Sequence, residues 1–245
     1  MTSVSDILRA AAENATDRVA RTDPLYDQIY DIMWRKILDG AVPVGKRLRD
    51  VEWAENLNVS RTPVREAFRK LQQDGILDPV ANGGYVLKAI GPSDLNLLYR
   101  CRAVLEALAV RDFKGEISRA DIDALYALIK KTRERLAERA FQEVFMLNTR
   151  FHRYFIEGSQ NPYARHVIEH ISRLTLYARS SLKLMIEKNP VLTNDYVDHL
   201  LLNQKWHEQI LALVEKGDFD AAGDAMQNHL FETGVGMQEL ISREK

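Results

Sequence analysis

A single cysteine, Cys101, is the whole thiol content of the chain. That excludes an internal disulfide framework and a cysteine-based zinc finger, and Cys101 is expected to be a small buried apolar residue. Long apolar runs are missing too. None approaches the roughly 18 residues of a membrane-spanning helix, and residues 1–21 have no apolar signal-peptide core, so the expected compartment is the cytoplasm. Excess charge of either sign is also lacking. The 34 Lys and Arg against 35 Asp and Glu leave a net charge of −1, with a sequence pI near 6.6. Attraction to a polyanion must therefore come from a local cluster of cations, with acidic residues elsewhere cancelling it. There is no internal repeat and no low-complexity tract.

What is present is a globular composition: 245 residues, 46% hydrophobic and 28% charged, a length that suggests two domains. The most informative stretch is Leu48 to Leu77. Trp53, Ala54 and Leu57 form one apolar stripe of a short helix. Asn58 and Val59 break it. Ser60 and Thr62 are both suited to cap a second helix, and Pro63 belongs in a first helical turn, where its missing N–H costs nothing. Val64, Ala67, Phe68 and Leu71 then fall at i, i+3, i+4 and i+7, a core-facing stripe.

The opposite face carries Arg61, Thr62, Arg65, Arg69 and Gln72. Such a face is ordinarily just solvated, but here the arginines gather near the helix start, without acids spread among them to compensate. After Leu77 comes Asn82-Gly83-Gly84 and then Tyr85-Val86-Leu87, a hairpin signal. Helices followed by a hairpin make a winged helix-turn-helix, whose second helix enters the major groove of DNA with Arg suited to phosphate and guanine. An earlier helix spans about Pro24 to Leu38, with Leu25, Ile29, Ile32, Met33 and Ile37 inward.

These residues resemble the GntR family of bacterial transcription regulators. The resemblance rests on Pro24-Leu25-Tyr26, Gly45-Lys46-Arg47-Leu48, the run from Val59 to Ala67 (VSRTPVREA), Asp74-Gly75-Ile76-Leu77 and Gly83-Gly84. Asn58 stands where the family usually has Gly, and Asn tolerates positive φ well enough to keep the turn. The resemblance implies double-stranded DNA as partner, a homodimer on a pseudo-palindromic operator, and contacts from Arg49, Ser60, Arg61, Thr62, Arg65 and Arg69, with the Gly83-Gly84 wing against the backbone.

Ile90-Gly91-Pro92 marks a boundary. The expected organisation is an N-terminal arm (1–23), a winged helix-turn-helix (24–91) and an all-helical region (92–245). From Ser93 on there is no strand signal. About six helical patterns occur, near 93–113, 119–139, 141–157, 161–187, 192–215 and 219–241, with Gly234 and Gly236 weakening the last turns. The expected fold is mostly α: the winged domain followed by an antiparallel helical bundle.

Six histidines lie in that bundle. A lone helical His is ordinarily structural. However, Asn148 and His152 share a face at i, i+4, and His152, His207 and His229 each have apolar neighbours, which points all three inward. Three neutral imidazoles and an oxygen donor on three helices can hold a divalent metal with an open position. His166 and His170 read as structural. The segments around Asn148, Trp206-His207 and Met226 to Leu230 resemble the all-helical FCD effector domain of the FadR-like branch. That resemblance implies a metal held by Asn148, His152, His207 and His229, with Asn in place of the commoner Asp. Zinc is the first expectation and nickel the second. It also implies a small carboxylate effector, with Arg102 the first candidate to pair with it, then Arg150 and Arg179. The alternative for Arg102 is an ion pair with Glu106.

Two functions from different classes follow. One is a ligand-responsive repressor with no enzymatic activity. The other is a metal-dependent hydrolase built on the three-His site, for which the sequence places no evident general base and which leaves the helix-turn-helix idle.

Overall fold

The computed structural model describes residues 24–113, 117–186 and 189–242. The N-terminal arm expected at 1–23 and the end of the fourth bundle helix at 187 lie outside the described residues. In chain order, the elements are α1 (Leu25–Leu38), α2 (Asp50–Leu57), α3 (Arg61–Gln73), β1 (Leu77–Pro79), β2 (Tyr85–Leu87), α4 (Pro92–Arg111), α5 (Arg119–Ala137), α6 (Phe141–Gly158), α7 (Pro162–Ile186), α8 (Pro190–Glu215) and α9 (Phe219–Ser242). Two compact units emerge. One contains 24–91 with 172–186 of α7, and the other contains the remaining described residues. Among the described residues, no helix is long and apolar enough to cross a membrane.

In the first unit, α2 and α3 form the helix-turn-helix. Asn58 ends α2 at φ 52°, ψ 48°, the left-handed conformation its short polar side chain tolerates. Ser60 is the N-cap of α3 in extended conformation, although its side chain makes no capping hydrogen bond. Val64, Ala67, Phe68 and Leu71 are fully buried and join Ile29, Met33 and Ile37 of α1 in one core. The inward set expected for α1 changes at one position and gains another. Leu25 is 46% exposed, while Tyr30 is buried. The helix turns so that Tyr30 donates to the buried Asp74 carboxylate at 2.5 Å. From α7, Tyr177 is buried in this same core, and its hydroxyl donates to the Lys88 carbonyl at 2.6 Å.

The hairpin is antiparallel, with Leu77 opposite Leu87 and Pro79 opposite Tyr85. Leu48 bridges to Tyr85 from the other side. Gly84, at φ +83°, is required there, because a Cβ would sit 2.6 Å from the Leu48 carbonyl oxygen.

In the second unit, α9 packs most extensively on α4 and next on α8, and α5 packs on α6 and α8. Local chemistry starts these helices. Ser118 Oγ accepts from Asp121 N at 3.1 Å, and Asn189 Oδ1 accepts from Val191 N at 3.1 Å with Pro190 at the first helical position. Gly234 and Gly236 do not end α9, which runs on to Ser242. They let neighbours approach: a Cβ on Gly234 would lie 2.7 Å from Tyr99 Cβ of α4, and one on Gly236 would lie 2.5 Å from the His199 ring of α8. Cys101 is exposed rather than buried. It shares the outward face of α4 with Leu97, Val104 and Leu108, each at least 38% exposed.

Candidate DNA-reading face and metal centre

The first cluster lies on α3. Arg61, Arg65 and Arg69 recur every four residues on its open side, with side chains 52%, 56% and 64% exposed. The expectation that they lack compensating acids is corrected. Asp50, in the first turn of α2, accepts from both Arg61 and Arg65, and Glu66 accepts from Arg69 at 2.7 Å. Slight burial would raise the Asp50 carboxyl, but the hydrogen bonds from Arg65 and Arg61 win and hold it below its ordinary value.

A cleft of about 590 Å³ runs between α3 and the wing. Arg49, Arg61, Arg65, Arg69, Gly83 and Gly84 line it, together with Arg47 and Asp50. Five arginines around one aspartate leave it strongly positive. Ser60 and Thr62 are exposed at the start of α3, outside that lining. Arg47 has another task. Its guanidinium donates to the carbonyls of Asn82 and Gly83, with Nε 2.7 Å from the latter, and so holds the wing tip.

The second cluster lies in the bundle. His152 on α6, His207 on α8 and His229 on α9 are each at most 7% exposed. His207 Nε2 is 3.2 Å from His152 Nε2 and 3.1 Å from His229 Nε2. The His152 and His229 rings are nearly parallel, 14° apart, and His207 stands across both at 78° and 80°. Phe151 stacks on His207 at 4.0 Å. Burial pushes His207 and His229 well below their ordinary pKa, and the neighbouring histidines and Arg102 add to the effect. Both rings are therefore neutral at pH 7.

Around them is a layer of polar partners. The Glu106 carboxylate, 1% exposed on α4, lies 2.7 Å from His152 Nδ1 and accepts from Arg102 Nε at 2.7 Å. Burial alone would raise Glu106, but Arg102 and His152 outweigh it and hold its pKa at about 2. An ionised Glu106 can only accept, so His152 donates from Nδ1, and Nε2 is the atom its neutral ring would offer a metal. The Thr233 hydroxyl is 2.7 Å from the His229 carbonyl oxygen and 3.0 Å from Asn203 Oδ1. One turn before His152 and His207, Gln204 Nε2 donates to Asn148 Oδ1 at 2.9 Å.

These residues fit a metal. A proton on His207 Nε2 could bridge one pair of these nitrogens, but a cation between them engages all three lone pairs at once. Two nitrogens each about 2.0–2.1 Å from one zinc, at angles of about 90–109°, are roughly 2.9–3.4 Å apart, and the observed spacings fall in that range. The three histidines form the one ligand group of this kind found among the described residues.

The other candidates are distributed differently. Arg150 lies two residues from Asn148 and from His152, hence on another side of α6. Arg179 falls in the 172–186 stretch grouped with the winged domain. The sequence points to Glu106 only as an ion-pair partner of Arg102, and it does not single out Gln204. The available signals were the i, i+4 spacing of Arg102 and Glu106 and the i, i+3 spacing of Gln204 and His207.

Comparison with known proteins agrees with both halves. The family described as bacterial regulatory proteins, gntR family, matches residues 25–86, and the FCD domain matches residues 97–232. The Nta operon transcriptional regulator of Aminobacter aminovorans is 31% identical over 69% of this chain and 87% of its own. The HTH-type transcriptional repressor RspR of Escherichia coli K12 is 26% identical over 89% of this chain and 91% of its own. The solved structure of a GntR regulator from Rhodococcus sp. RHA1 superposes with a TM-score of 0.64 at 20% identity, covering 86% of this chain and 96% of that one, and so shares the fold. These relatives are regulators of transcription, not enzymes, and nothing supports the hydrolase reading; Glu106, the buried carboxylate at the histidines, is held on both sides rather than free as a base. The chain belongs to the GntR family of bacterial DNA-binding transcription regulators, in the subgroup that carries an FCD domain.

Proposed function

We propose that the protein is a cytoplasmic, homodimeric repressor whose grip on a pseudo-palindromic operator is set by a small carboxylate bound at a metal in its bundle. The observation that carries this reading is the trio of buried imidazole nitrogens at 3.1–3.2 Å. His152, His207 and His229 would hold the ion, zinc before nickel, with Asn148 as oxygen donor. When bound, the metal supplies a Lewis-acid position open to a carboxylate. Glu106 fixes the ring of His152, and Phe151 packs the ring of His207. Among the three arginines considered for the effector, Arg102 has the best support, since its charge reaches His207 and His229. Arg150 and Arg179 remain secondary candidates.

Residues 24–91 would read the operator. Arg49, Arg61, Arg65 and Arg69 contact bases and phosphates, Ser60 and Thr62 anchor the start of α3, and Gly83 and Gly84 let the wing backbone approach. An effector changes operator affinity only through unequal binding to two states, typically ~1–3 kcal/mol. Residues 92–245 would bind effector and dimerise. Support for the dimer comes from Leu97, Cys101, Val104 and Leu108, an exposed seam on α4 with coiled-coil spacing.

Elemental analysis of protein purified without a His-tag tests the metal. About one divalent ion per chain is expected, and its absence after zinc loading would remove the centre. Mild oxidation tests the seam: Cys101 should cross-link two chains, and a Cys101→Ser control should not. A monomer in sedimentation would sink the dimer.

A further inference from the structure

The bundle site has an unusual charge balance. His152, His207 and His229 bind metal as neutral ligands. Asn148 and Gln204 are neutral amides. Among the described residues, the charged side chains paired beside them are the largely covered Arg102 and the buried Glu106, which lie 2.7 Å apart and cancel. Among the described residues, no carboxylate joins the ligand group itself. A divalent ion placed there would bring two positive charges that the surrounding side chains leave uncompensated. A buried net charge of that size is costly unless a counter-charge arrives with it. A monocarboxylate supplies half of the counter-charge, and a dicarboxylate supplies all of it.

The second observation is an orphan acceptor. Asn148 and Gln204 form an amide rung between α6 and α8, one turn before the rung formed by His152 and His207. Gln204 is fully buried. Its Nε2 is used on Asn148, but its Oε1 is buried without a hydrogen-bond partner. A carbonyl oxygen in that state asks for a donor from outside the chain.

We infer that the effector is a small dicarboxylate carrying a hydroxyl group. One or both carboxylates balance the metal, and the hydroxyl donates to Gln204 Oε1. This rests on the metal reading above, and Asn148 and Gln204 become the residues that set effector class. Asn148 is decisive because an aspartate there would supply one of the two missing charges itself.

Three acids of similar size separate the contributions: butyrate, succinate and malate. Binding to zinc-loaded full-length protein is followed by calorimetry, with zinc-free protein as control. Succinate should bind about tenfold tighter than butyrate, and malate a further fivefold or so tighter than succinate, one hydrogen bond's worth. Asn148→Asp should shrink the succinate preference to about threefold or less while tightening zinc. Gln204→Leu should abolish the malate preference and keep the succinate one. Zinc affinity and thermal melts of the variants report their folding. If the wild type binds zinc but takes butyrate and succinate equally, or binds none of the three acids, the inference fails and the metal reading stands. If the wild type binds no zinc, or binds the acids equally well without it, the metal reading fails and the inference with it.

Discussion

Two carboxylates in this molecule do the same job in opposite surroundings. Asp50 holds Arg61 and Arg65 at the surface, and Glu106 holds Arg102 and His152 inside the bundle. Asp50 keeps about a fifth of its side chain in water and its arginines about half, whereas Glu106 is 1% exposed. At the surface, water and salt compete for every charge, and partners exchange at little cost. In the interior, each group keeps its partner, because a lone buried charge is far less stable than a paired one. The same ion pair is thus an adjustable contact in one region and a fixed scaffold in the other.

The comparison breaks most visibly at Glu106. Glu106→Gln should leave Arg102 buried beside an uncharged partner and lower stability by about 3–5 kcal/mol in a denaturant titration. A loss under 1 kcal/mol would mean that the pair is open to water. Next comes the reading face. Arg65→Ala should abolish the gel shift of an operator at fixed salt, about 1–3 kcal/mol per half-site, with no change in melting temperature. Unchanged affinity would remove Arg65 from the contact set.

The histidines add a pH arm. His207 and His229 are depressed in the folded state, so the unfolded chain binds more protons below pH 6.5. Their contribution is complete above the unfolded value and is lost as pH falls below about 6.5, by up to about 1.4 kcal/mol per pH unit for each ring. Metal-free protein should melt progressively earlier from pH 7 to pH 5. A flat profile would mean that the rings take up protons while folded. The smallest effect belongs to Asp50→Asn, which should cost less than about 1 kcal/mol of stability. A larger loss would erase the contrast with Glu106.

Much of the fold was legible in the sequence because its signals are local. The apolar stripe of Val64, Ala67, Phe68 and Leu71, the left-handed Asn58 and the bundle helix limits all follow from spacing within a few residues. The convergence of His152, His207 and His229 was legible from their apolar neighbours. What stayed hidden depends on how helices rotate against each other. Glu106 is 46 residues from His152, and Asp50 is 15 from Arg65. No local period announces either pairing. Cys101 was misplaced for the same reason: its size suits a core, but its face of α4 looks outward. Gly234 and Gly236 looked like helix breakers, yet α4 and α8 lie too close there for side chains.

The sharing of Asp50 by two arginines bears on how DNA would be chosen. Neither guanidinium is bare, so a phosphate or guanine edge arriving there would have to displace an anion already in place. Trading one partner for another yields little net attraction. Random DNA offers only its charge and gains little from the trade. A sequence whose acceptors match both guanidinium groups at once gains the difference in geometry. If Arg61 and Arg65 contact the operator as proposed, Asp50 would work as an internal competitor, raising the threshold for binding and filtering out duplexes that offer phosphate alone.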